Sequence, residues 1–69
     1  MSIDDLKSAI VKEMDLLVRV EGDDLLISNC KPKSWRRLMS MINDNGFRVV
    51  RWRVYRDVNG NVIDQLSLG

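Results

Sequence analysis

Histidine is absent from the chain, cysteine and proline each occur once, and there are four glycines, two tryptophans, one tyrosine and one phenylalanine. Without histidine the chain lacks the side chain that most often serves as a general base or metal ligand near neutral pH. A lone cysteine, Cys30, permits neither an internal disulfide nor a cysteine-based metal site, which fits a reducing compartment. Its place just before Pro32 reads as a small buried hydrophobe beside the start of a helix, not as a reactive thiol. Scarce proline and glycine, with 45% hydrophobic and 30% charged residues, argue against long disorder.

Other absences narrow the chemistry. No glycine-rich phosphate loop, zinc-ligand spacing or serine in a nucleophile elbow is present. Asp23 and Asp24 are adjacent carboxylates, but in a hairpin turn they read as solvated residues, since an acid/base pair needs burial to separate its pKa values. The expectation is a non-enzyme with no metal, no cofactor and no small-molecule substrate. No apolar run approaches the roughly 18 residues of a membrane span. The stretch MSIDDLKSAI is acidic where a signal peptide is basic, so a soluble cytoplasmic protein without membrane partners is expected. At 69 residues the chain is expected to form a single domain, residues 1–69, near the size where one core only just offsets chain entropy.

What is present is an uneven distribution of charge. The net charge is +1. Residues 1–30 nevertheless carry seven acidic groups against three basic ones, whereas residues 31–56 carry eight basic groups against one acidic, Asp44. Such asymmetry hints at an anionic partner, or at two halves that neutralise one another in the fold.

The hydrophobic pattern predicts the order αββαββ. Ile3, Leu6, Ile10 and Met14 follow helical spacing after Ser2, with Asp5 placed to complete a capping box. The stretch LLVRVEGDDLLISN predicts a hairpin turning at Gly22-Asp23, with Val20 opposite Leu25, Val18 opposite Ile27 and Leu16 opposite Asn29. From Pro32 or Ser34 a second helix sets Trp35, Leu38, Met39 and Ile42 on its core side and Lys33, Arg36, Arg37 and Ser40 on the other, ending at Asn45-Gly46.

A strand from about Phe47 to Arg56 then enters a turn at Asp57-Val58-Asn59-Gly60, a type I turn followed by a left-handed glycine. Choosing that turn over a two-residue Asn59-Gly60 turn pairs Val50 with Leu68, Trp52 with Leu66 and Arg56 with Val62, and makes Trp52 a core residue. The same register pairs Arg51 with Ser67, Arg53 with Gln65 and Tyr55 with Ile63 on the opposite face. An offset of 32 aligns Ser2, Leu6, Ser8 and Ile10 with Ser34, Leu38, Ser40 and Ile42, and LVRV with VVRW, which suggests an internal αββ repeat. The fold expected is α+β, a four-stranded antiparallel sheet with two helices packed on one face.

Two functions fit. In the first, Arg19, Arg51, Arg53 and Tyr55 on the open sheet face, with Lys33, Arg36 and Arg37 at the start of the second helix, bind single-stranded or structured nucleic acid. Arginine binds phosphate oxygens bidentately and tyrosine stacks on bases. In the second, the open face also carries Leu17, Leu26, Val49 and Ile63, an apolar patch ringed by charge. Such a patch marks a protein-interaction module, self-associating as a homodimer through that face or by pairing edge strands.

Overall fold

The structure, a computed structural model, describes residues 1–69 and has the order αββαββ. Helix α1 spans Ile3–Met14. Ser2 caps it through a reciprocal pair: the Asp5 amide donates to Ser2 Oγ and the Ser2 amide donates to the Asp5 carboxylate, both at 3.2 Å. Asp4 and Asp5 in its first turn offset the positive end of the helix dipole. Asp15 at φ 52° ends the helix.

Strands β1 (Leu17–Glu21) and β2 (Asp24–Ser28) form the predicted hairpin, with Gly22 at φ 60°, a conformation that suits glycine at a two-residue turn. Val18 faces Ile27 and Val20 faces Leu25 as expected. Leu16 and Asn29 lie outside the ladder, because Asn29 adopts φ 55° and turns towards Val62. Helix α2 spans Pro32–Asp44; proline at the first helical position forfeits no hydrogen bond there. Asn45 Nδ2 donates to the Met41 carbonyl at 2.7 Å, and Gly46 at φ 87° reverses the chain.

Strand β3 is Val49–Arg56 and β4 is Val62–Leu68. The turn between them is organised by Asp57, whose Oδ1 accepts from the amides of Asn59 and Asn61, both at 2.9 Å. Gly60 takes φ 82° there, as the four-residue turn requires. The register follows the expectation from Arg51–Ser67 to Arg56–Val62. It departs at Val50: Val49, not Val50, faces Leu68, and the ladder is irregular between Val49 and Arg51. Beyond that point Arg48 and Gly69 exchange backbone hydrogen bonds of 3.2 and 2.8 Å, so the strand accommodates one extra residue and Val50 bulges.

The sheet is antiparallel with order β1-β2-β4-β3. The two hairpins therefore lie side by side, the central pair β2/β4 buried and β1 and β3 at the edges. Val18, Leu25, Ile27, Leu66 and Leu68 face Leu6, Ile10, Leu38 and Ile42 of the helices in one core. Leu6 and Leu38, and likewise Ile10 and Ile42, are offset by 32 and fully buried, so those members of the suggested repeat occupy like positions in both helices.

The helices cover β1, β2 and β4 but leave most of β3 open. Trp52, expected in the core, is 54% exposed, and Val50 and Val54 beside it are 59% and 54% exposed. Two short helices span the width of three strands, and the sequence pattern, which shows sidedness but not strand order, does not reveal which strand lies at the edge. No helix is long and apolar enough to cross a membrane.

Candidate functional site: the free edge of strand β3

Along β3 the five residues from Val50 to Val54 are all exposed, on both faces of the sheet. Alternation sends Arg51, Arg53 and Tyr55 to the open face and Trp52 and Val54 to the helix side. Because β3 is an edge strand, the backbone groups on its far side have no neighbouring strand. The ladder phase shows which residues own them. The Asp57 amide donates to the Asn61 carbonyl at 3.0 Å. In an antiparallel pair such bonding residues alternate, so Tyr55, Arg53 and Arg51 bond to β4 while Trp52, Val54 and Arg56 direct N–H and C=O outward.

On the helix side the Trp52 ring is held in place. Its Nε1–H donates to Asp64 Oδ1 at 2.9 Å, and its ring lies 4.9 Å from that of Trp35 on α2, tilted by 41°. Asp64 is only 6% exposed, a carboxylate buried on the core side of β4. Cys30, Lys31, Pro32, Trp35, Trp52 and Asp64 line a cleft of about 330 Å³ beside this ledge. Cys30 is half-buried, and burial together with the neighbouring Asp64 charge raises its thiol pKa above the usual 9.0. That environment suits a packed, protonated thiol.

The open face is less basic and less apolar than the sequence suggests. Arg19 pairs with Glu21 at 2.6 Å on the same strand. Asp24 accepts from Gln65 Nε2 at 2.7 Å. Hydrogen bonds from Gln65 and Ser67, aided by the charges of Arg51 and Arg53, hold the Asp24 carboxyl below its usual range, so it shares the field of those arginines. The Arg53 guanidinium lies 5.8 Å over the Tyr55 ring. Neither Arg51 nor Arg53 forms an ion pair; Arg19–Glu21 is the molecule's sole pair. Neither Arg53 nor Arg56 pairs with Asp64 or Asp57 across the hairpin. Asp64 bonds Trp52, Asp57 serves the turn, and Arg56 donates to the Gly60 carbonyl at 3.2 Å.

Of the apolar quartet, Leu26 and Ile63 are buried at 7% and 6% exposure, Val49 is half-buried and only Leu17 is exposed. Arg19, Leu26, Ser28, Tyr55, Asp57 and Ile63 enclose a shallow pocket of about 190 Å³. These four residues therefore do not form an exposed apolar patch. Nor do the two basic groups join. Lys33, Arg36 and Arg37 are exposed on α2, in the helical layer, whereas Arg51, Arg53 and Tyr55 face away from it.

The sequence pattern places Trp52 in the core and so does not mark the exposed stretch of Val50, Trp52 and Val54. The Trp52–Asp64 contact was within its reach: with Trp52 opposite Leu66 and Val54 opposite Asp64, the indole and the carboxylate are diagonal neighbours on one face. No protein family, curated protein or solved structure matches this chain.

Proposed function

We propose that the chain is a non-enzymatic protein-interaction module whose docking site is the free edge of β3. The observation that carries this reading is the run of five exposed residues, Val50 to Val54, on an edge strand whose outward backbone groups belong to Trp52, Val54 and Arg56. An incoming extended segment gains main-chain hydrogen bonds from those groups and side-chain contact with a tryptophan ledge already fixed by Asp64 and Trp35. A fixed aromatic anchor loses little entropy on binding, which is why such residues dominate interfaces.

A second reading, nucleic-acid binding on the open face, is favoured by Arg51 and Arg53 having no ion-pair partner, with Tyr55 beside them. It leaves the exposure of Val50, Trp52 and Val54 without a role. Amide shifts on adding a capped Glu-Val-Glu-Val-Glu peptide, on adding a mixed single-stranded oligonucleotide, and on raising the concentration of the protein alone separate the two. Shifts centred on the Trp52 and Val54 amides and the Trp52 indole, from peptide or protein, support edge docking. Shifts confined to Arg51, Arg53 and Tyr55, produced by the oligonucleotide and abolished by salt, overturn it in favour of the second reading.

A further inference from the structure

Resting on the edge-docking reading, we propose that the occupant is a second copy of this chain, which adds its own β3 antiparallel to β3 about a twofold axis at Val54. Self-pairing of one strand with itself is isologous, so the axis fixes every facing pair. Directly facing residues must share the same hydrogen-bonding phase and the same face, so the axis passes through a residue and not between two. Within Val49–Arg56, registers that align at least five residues place that axis at Arg51, Trp52, Arg53 or Val54.

Charge discriminates among the four. An axis at Arg51 sets that arginine against itself, one at Trp52 sets Arg51 against the partner's Arg53, and one at Arg53 sets that residue against itself. Like charges directly opposite one another are destabilising, and neither arginine forms an ion pair within its own chain, Asp24 lying near both without bridging to either. An axis at Val54 avoids every such encounter. Arg51 then faces the partner's Asp57, a carboxylate kept ionised by hydrogen bonds chiefly from Asn61. Arg53 faces the partner's Tyr55, repeating between chains the cation–π arrangement present within each.

The helix side fits as well. Val54 faces the partner's Val54, and Trp52 faces the partner's Arg56. Trp52 and Val54 are each 54% exposed in the single chain. This register engages both. It also uses the regular part of β3 and leaves the bulge at Val50 at its margin. The product is a continuous eight-stranded sheet whose remaining edges are the two short β1 strands.

Register can be read by single-cysteine cross-linking in a Cys30→Ser background, with Arg51→Cys, Trp52→Cys, Arg53→Cys and Val54→Cys oxidised by diamide at matched concentration. Facing Cα atoms in a hydrogen-bonded antiparallel pair lie about 5.5 Å apart, within disulfide reach, whereas residues two steps from the axis do not face themselves. The proposal expects the largest dimer yield from Val54→Cys, by about tenfold over the other three. It also expects Arg51→Glu, which sets like charges at the partner's Asp57, to weaken association in sedimentation equilibrium.

A maximum at position 51, 52 or 53, or equally low yields at all four, overturns it. If the chain sediments as a monomer at every concentration while the Glu-Val-Glu-Val-Glu peptide still shifts the Trp52 and Val54 amides, the second copy is the wrong occupant and the docking edge stands. If neither protein nor peptide perturbs those amides, both fall.

Discussion

The indole of Trp52 on β3 and the carboxylate of Asp64 on β4 are joined by a 2.9 Å hydrogen bond that is diagonal in the ladder, Trp52 facing Leu66 and Asp64 facing Val54. This bond gives a nearly buried carboxylate its donor and holds a half-exposed aromatic ring against the sheet edge. Removing the acceptor has two separate consequences. Asp64→Ala should destabilise the fold by about 1–3 kcal/mol in urea unfolding, whereas Asp64→Asn, which keeps an acceptor, should cost less. Since the Asp64 charge helps to raise the Cys30 pKa, Asp64→Asn should also speed alkylation of Cys30 at mildly alkaline pH. An unchanged alkylation rate would show that burial alone sets that thiol.

Exposure of Trp52 makes a prediction against the intuition that tryptophan is core. Leu66→Ala, at a fully buried site, should cost about 2–5 kcal/mol through lost burial and the cavity left behind. In dilute protein Trp52→Ala should cost less than that, because more than half of the residue is already in water. Equal losses in chemical denaturation would place Trp52 in the core after all.

Asn29 joins the two hairpins. Its side-chain Oδ1 accepts from the Val62 amide at 3.0 Å, its Nδ2 donates to Asn61 Oδ1 at 3.1 Å, and its own amide donates to the Val62 carbonyl at 2.8 Å. Its φ of 55° lies in the left-handed region, where asparagine and glycine are tolerated and alanine is not. Asn29→Ala should therefore cost about 1–2 kcal/mol more than Asn29→Gly, which loses the same side-chain bonds without the strain. Thermal melts of the two variants decide this.

Both perturbed aspartates point to acid sensitivity. Hydrogen bonding lowers the pKa of Asp24 and Asp57 in the fold below the usual 3.8, so in that range the unfolded chain binds more protons. Stability is thus fully present above that pH and declines as pH falls through the depressed values. The melting temperature should drop on acidification below about pH 4. Asp24→Asn should flatten that drop, while a pH-independent melt would mean that neither carboxylate is held ionised.

The fold was legible because its signals are local. Ser2 and Asp5 specify a cap, Gly22-Asp23 and Asp57 to Gly60 specify turn lengths, and each turn length fixes a register. Strand order was not legible, since joining two hairpins through β2 and β4 is a long-range choice that leaves only weak marks in sequence, such as the uniformly apolar Leu25, Leu26 and Ile27 of the central strand. That gap explains the unexpected burial of Leu26 and Ile63 and the exposure of Trp52. Leu26 and Ile63 read as surface because their faces were known and their centrality was not, and Trp52 read as core because alternation reports side, not depth. The arginines of β3 lie on the face that alternation predicts, but the edge position they share with Trp52 follows only from the strand order.

Amide hydrogen exchange across β3, followed as the protein is concentrated, reports on whether its free edge pairs. The outward amides of Trp52, Val54 and Arg56 should exchange rapidly in dilute protein and become protected together as concentration rises, while those of Arg51, Arg53 and Tyr55, bonded to β4, stay protected throughout. Fast exchange at Trp52, Val54 and Arg56 at every concentration, unchanged by the Glu-Val-Glu-Val-Glu peptide, would contradict docking at that edge.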